Sequence, residues 1–277
     1  MIKLNSLPII YSSILLLGII LIFQVPLSDF FLNFNYGIYT SKSLDKGITA
    51  CVVVTFVLYL IHKESLPIYY FNFNLKDLKY YSLLLLYIVI FSGGFSDFSN
   101  FNFSEINNGF LEVYIFKIMT ASFLEEFVFR GFILGIMIYN FPKTKRGFLK
   151  SVLISGILFG CMHLINLWTM EDLTLKDVLN QVYATASFGI MYGATYLKTK
   201  SILVLGFLHF TSNFFSSLGE LNTSEIIDQV ITTPTDGLLT LIINEILRII
   251  IFGIPLIIGL YLISTIKQSD IKAWNNK

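Results

Sequence analysis

Residues 112–139 read EVYIFKIMTASFLEEFVFRGFILGIMIY, an apolar run that carries Glu125, Glu126 and Arg130 near its middle. A bilayer core takes about 20 apolar residues as helix, and lipid offers unpaired backbone groups no water to bond. This stretch is therefore expected to be a membrane-spanning helix with ionisable groups inside it.

Similar runs lie outward on both sides, near 7–27, 45–61 and 80–96 before it and near 149–168, 179–197, 201–218 and 238–265 after it. The expected fold class is all-α, a polytopic membrane bundle of about eight transmembrane helices, read as one integral membrane domain over 1–277. The first run is expected to be a retained span, because it is too long for the apolar part of a secretory signal and has no small-x-small cleavage site. Composition agrees: 55% of residues are hydrophobic and 13% charged, against about a quarter charged in a soluble domain. A net charge of +1 gives no basic field for nucleic acid, so none is expected as a partner. Cys51 and Cys161 have no CxxC spacing and are expected to be small buried hydrophobes.

If the runs alternate across the membrane, Lys63, Lys76, Lys79, Lys143, Lys145, Arg146, Lys150, Lys198 and Lys200 share one side with both termini and with Lys3, Lys267, Lys272 and Lys277. Only Lys42, Lys46 and Lys176 fall on the other side, where Asp97, Glu105, Glu171, Asp172, Asp177 and the long connector 219–237 lie. The positive-inside rule then puts both termini in the cytoplasm of a multi-pass cell-membrane protein.

An ionisable side chain inside a span costs at least about 2.5–3.5 kcal/mol at the centre, so each is a functional candidate or a compensated pair. Glu126 and Arg130 are four apart and can pair. Glu125, about 100° away round the helix, has no local partner and is the candidate general base. The plainer alternative is that both glutamates brace Arg130 or a neighbouring helix. His163 lies in the fifth run; His209 and Asn213, four apart in the seventh, present imidazole and amide from one face, a donor pair suited to an oxyanion. Alone, such a pair can equally be an inter-helix hydrogen bond.

Other polar groups have simpler readings. His62 is expected to be solvated, Lys117 to snorkel, and Glu245 with Arg248 to form a local ion pair. The many Phe and Tyr residues are expected to face lipid or pack, outside the site. Gly131 and Gly135, Gly156 and Gly160, and Gly189 and Gly193 have the small-xxx-small spacing that allows close helix approach.

Taken together, Glu125-Glu126-Phe127-Val128-Phe129-Arg130-Gly131 resembles the EExxxR motif of the CAAX-protease and bacteriocin-processing (CPBP, or Abi) family. His163 in FxxxH and His209 with Asn213 in HxxxN resemble its second and third motifs, over a core of about 112–218. The resemblance implies an intramembrane peptidase acting on a membrane-associated protein or peptide. In it Glu125 activates water, Glu126 and Arg130 support, and His163, His209 and Asn213 position water and stabilise the oxyanion. Family members include trimmers of prenylated proteins, bacteriocin self-immunity proteins and signal-peptide processors, so the resemblance does not choose a substrate.

Glu125, His163 and His209 are also of the types that make a three-ligand zinc site with water in the fourth position. HExxH is absent, and Asn213 is a poor zinc ligand but a good oxyanion donor. The expected site is metal-free, with zinc held by Glu125, His163 and His209 as the alternative. Two rival readings are a non-catalytic immunity or regulatory protein and a transporter or proton relay, in which intramembrane Glu and His chains also occur.

Overall fold

A computed structural model of the chain describes residues 8–34, 36–91, 110–170, 173–217 and 238–275. Each of the eight apolar runs is helical within these bounds, and no strand occurs among the described residues. The helices are α1 (Pro8–Phe23), a short α2 (Ser28–Leu32), α3 (Ile38–Lys63), α4 (Leu78–Phe91) and α5 (Phe110–Glu126). A π-helix over Phe127–Ile133 joins α5 to α6 (Leu134–Asn140). Then come α7 (Lys145–Met162), a one-turn α8 (Asn166–Thr169), α9 (Leu175–Thr199), α10 (Ile202–Ser216), α11 (Leu238–Ser264) and α12 (Gln268–Asn275).

Among the described residues four stretches are long and apolar enough to cross a membrane: Pro8–Leu32, Ile38–Lys63, Lys145–Thr169 and Ile242–Ser264. The stretch from α5 to α6 is long enough but carries Glu112, Lys117, Glu125, Glu126 and Arg130, which lower its hydropathy. The chain is a multi-pass membrane protein. Large side chains such as Leu17, Leu21, Val52, Phe207 and Ile257 are exposed round the bundle, where lipid would cover them. Cys51 and Cys161 are exposed too, contrary to the expected burial. In a membrane helix the outward face is as apolar as the inward one, so an apolar run does not say which residues are covered.

The core is built on close approach of α7 and α9. A Cβ on Gly160 would lie 2.6 Å from the carbonyl oxygen of Val182, and one on Gly189 would lie 2.9 Å from the Cα of Gly156. The small residues thus let the two backbones touch, as their spacing predicted. Gly131, within the π-helix, packs against Ile61 and Ile68 of α3 and the loop beyond it, whereas Gly135 makes only ordinary contact.

The basic connectors meet at one end of the bundle. Leu203 N–H donates to the Tyr70 carbonyl (3.0 Å), Asn72 Nδ2 to the Thr199 carbonyl (3.1 Å) and Tyr69 Oη to the Ala273 carbonyl (2.8 Å). Lys145 reaches the Ser264 carbonyl, and Lys198 pairs with Asp270 at 3.2 Å. Trp274 of α12 is buried there and donates to the Leu197 carbonyl at 3.2 Å. At the other end Lys46 donates to the Phe23 carbonyl. Alternating helices thus put Lys63, Lys76, Lys79, Lys143, Lys145, Lys198 and Lys200 together; residues 97, 105, 171–172 and 219–237 lie outside the described residues.

Gly160→Ala should lower the thermal midpoint of the purified protein, equivalent to about 1–3 kcal/mol of overpacking, because the neighbour is backbone. Gly18→Ala, whose Cβ meets nothing within 4 Å, should leave the midpoint unchanged or higher. Equal midpoints for both variants would contradict the α7–α9 contact.

Candidate active site

The π-helix begins directly after Glu126. Its widened turn is visible in the bond from Leu134 N–H to the Phe129 carbonyl, five residues back, and that carbonyl also accepts from Ser155 Oγ of α7 at 3.0 Å. Single π turns of this kind are frequent at functional sites. Here the turn carries Arg130 into the core, its guanidinium 4.9 Å from the Phe159 ring centre and 5.3 Å from that of Tyr192.

Arg130 and Glu126 are 1% and 0% exposed, and Arg130 Nε lies 3.1 Å from Glu126 Oε2, so the pair expected from their spacing forms. The second carboxylate oxygen faces α10: Glu126 Oε1 is 2.9 Å from His209 Nδ1. A carboxylate shared with a guanidinium can only accept, so Nδ1 carries the proton and donates.

On the other side of the same ring, His209 Nε2 is 3.6 Å from Glu125 Oε2. The two adjacent glutamates leave the helix in different directions, as expected, yet both reach one imidazole. Glu125 is therefore not isolated, as the sequence suggested, but faces His209 across a short gap and keeps 21% of its side chain exposed.

His163 follows the last turn of α7, where its Nδ1–H donates to the Phe159 carbonyl at 3.1 Å. In the neutral ring this leaves the Nε2 lone pair free to accept from water or a ligand. Asn213, one turn beyond His209 on α10, donates through Nδ2 to Ser122 Oγ at 3.1 Å and retains a second N–H.

Glu125, Arg130, His163, His209 and Asn213 all line one cavity of about 300 Å³ between α4, α5, α7, α9, α10 and α11. Glu126 lies behind its wall. A second cavity of about 240 Å³, mostly apolar and walled by α1, α5 and the end of α7, shares Glu125 and His163 with the first. Among the described residues no three His, Cys, Asp or Glu side chains come together as a metal-holding group, Glu125, His163 and His209 included.

Several residues in or beside the cavities were not expected. Phe159 and Tyr192 enclose Arg130, against the expectation that aromatic residues stay outside the site, and Ser122 holds Asn213. Asn166 and Gln181, one on each cavity, bond to each other at 2.8 Å; polar residues in apolar runs were the signal for these two. Tyr192 gave no signal that separates it from other aromatic residues. Outside the cavity, Glu245 pairs with Arg248 at 3.3 Å as expected and also with Lys176 at 2.6 Å. His62 is exposed in the last turn of α3, and Lys117 lies over the Tyr114 ring.

Fold and site together define a helical multi-pass membrane protein with a carboxylate–imidazole centre buried between its helices. Residues 107–215, which hold all three motifs, match the family model described as type II CAAX prenyl endopeptidase, Rce1-like. The match agrees with the motif resemblance, and its bounds nearly coincide with the expected core. No curated protein and no solved structure matches the chain.

Glu126→Ala strips the buried guanidinium of its counter-charge and should destabilise the protein by about 3–5 kcal/mol, read as a large drop in thermal midpoint or failure to purify. Glu125→Gln, in a partly exposed group with no guanidinium partner, should keep a near-wild-type midpoint. The reverse order would contradict the division of roles between the two glutamates.

Proposed function

We propose that the protein is an intramembrane endopeptidase that hydrolyses a peptide bond of a membrane-associated protein or peptide by glutamate-activated water. The observation that carries this is the placement of His209 between Glu126 at Nδ1 and Glu125 at Nε2, in a cavity also lined by His163 and Asn213.

Chemistry follows from the donors and acceptors. Glu125 is the group open to the cavity, so it takes the proton of a water whose oxygen attacks the scissile carbonyl, and later returns a proton to the leaving amine. His163, with its Nε2 lone pair, accepts a hydrogen bond from that water and orients it. His209, its Nδ1–H held by Glu126, presents Nε2 to the cavity, where a proton on that nitrogen would bond the developing oxyanion beside the second N–H of Asn213.

Glu126 and Arg130 act through His209: Glu126 accepts the Nδ1–H and orients the ring, and Arg130 neutralises Glu126. No step requires a metal, and the proposed site works through these side chains alone. The proposed setting is the cell membrane with both termini cytoplasmic, the bundle's basic end facing inward. The site cavity reaches Ile88, Thr185 and Ser216, on the halves of α4, α9 and α10 away from that basic end, which supports approach of substrate from the opposite face.

With purified protein in proteoliposomes and a peptide pool as substrate, Glu125→Gln should lower cleavage by about 10²–10⁴-fold, and a chelator should leave wild-type cleavage unchanged. Equal cleavage by wild type and variant would overturn the role of Glu125, and chelator-sensitive cleavage would overturn the metal-free mechanism.

A further inference from the structure

Tyr192 lines the site cavity from α9, is 2% exposed, and its hydroxyl is buried without a hydrogen-bond partner. The ring is held from three sides: by the Arg130 guanidinium at 5.3 Å, the His209 ring at 5.3 Å and the Phe188 ring at 6.4 Å. All of that packing needs only a phenyl group. The oxygen is an added cost, since a buried hydroxyl with no partner is unfavourable by about 1–3 kcal/mol.

The other donors of the cavity are partly engaged. His209 gives Nδ1–H to Glu126, Asn213 gives one N–H to Ser122, and Arg130 is held by Glu126 and enclosed by two aromatic rings. Tyr192 is a neutral donor whose hydroxyl is both buried and uncommitted, on a rigid helix beside the imidazole. A fixed donor with nothing to reorganise is what stabilises charge most as it develops in a water-poor site.

We propose that Tyr192 is a third oxyanion donor, its O–H bonding the scissile carbonyl oxygen as that oxygen becomes negative, alongside His209 and Asn213. The inference rests on the peptidase reading and adds to it a residue that the three motifs do not contain. No proton is transferred from Tyr192: it donates a hydrogen bond and keeps its proton through the reaction.

The test is the separate measurement of kcat and KM in proteoliposomes for wild type, Tyr192→Phe and Glu125→Gln, together with the thermal midpoint of each. Tyr192→Phe should lower kcat about a hundredfold, with KM nearly unchanged and a midpoint equal to or above wild type, because the ring packing stays and an unpartnered hydroxyl goes. Wild-type kcat in Tyr192→Phe, with Glu125→Gln inactive, would overturn the donor role and leave the peptidase reading standing. A kcat loss that tracks a fallen midpoint would also overturn it, by making the hydroxyl structural. Full cleavage by Glu125→Gln would instead overturn the glutamate-activated mechanism on which the inference rests, and no cleavage by wild type would remove the peptidase reading itself.

Discussion

A fully buried carboxylate, Glu126, sits between a guanidinium and an imidazole, and the rest of the site is arranged round that constraint. Taking Arg130 out of water is expensive unless a partner neutralises it, and attraction in a low dielectric repays the cost only with good geometry. The π-helix brings Arg130 inward between Phe159 and Tyr192 with Nε 3.1 Å from Glu126, near enough to neutralise it, although none of the three guanidinium nitrogens makes a hydrogen bond. With its other oxygen Glu126 fixes the proton of His209 on Nδ1, which turns Nε2 toward Glu125 and the cavity. One ion pair thus links helix geometry, charge balance and the tautomer of a site histidine.

The surrounding helices supply the setting. Glycines on α7 and α9 let those backbones touch, which brings Phe159 and His163 from one helix near Tyr192 and Gln181 from the other. The cavity they enclose is polar on the wall made by α5 and α10, while the adjoining chamber beside α1 is apolar, and Glu125 and His163 stand where the two meet. An extended peptide lying across that boundary would present its backbone to the polar wall and an apolar side chain to the other chamber, an arrangement suited to ligand sites, which combine apolar surface with a few placed polar groups.

Much of this was legible in the sequence because membranes impose simple rules. Apolar runs near 7–27 through 238–265 marked the helices, and lysine placement marked the connectors that gather at one end. Ionisable and amide side chains inside apolar runs are few, so Glu125, Glu126, Arg130, His163, His209 and Asn213 stood out, and five of the six line one cavity. Spacing also gave the Glu126–Arg130 pair. Contacts between distant helices were not legible: the bond from Glu126 to His209 spans 83 residues, and no local pattern encodes it. Nor was the π-helix, since one widened turn changes no residue type. Tyr192 and Ser122 were hidden for a different reason, being common residues whose role comes only from what they face. Cys51 and Cys161 failed because lipid-facing and core-facing helix surfaces have the same composition.

In the proposed mechanism water, activated by Glu125, attacks the peptide bond directly. A single-turnover cleavage in ¹⁸O-labelled water with enzyme in excess, followed by mass analysis of the N-terminal product, separates this route from attack by a protein oxygen. Direct attack places one labelled oxygen in the new carboxylate of every product molecule in the first turnover. Unlabelled product in that turnover would mean that a protein oxygen attacked first, as in an anhydride with Glu125, and would contradict the account.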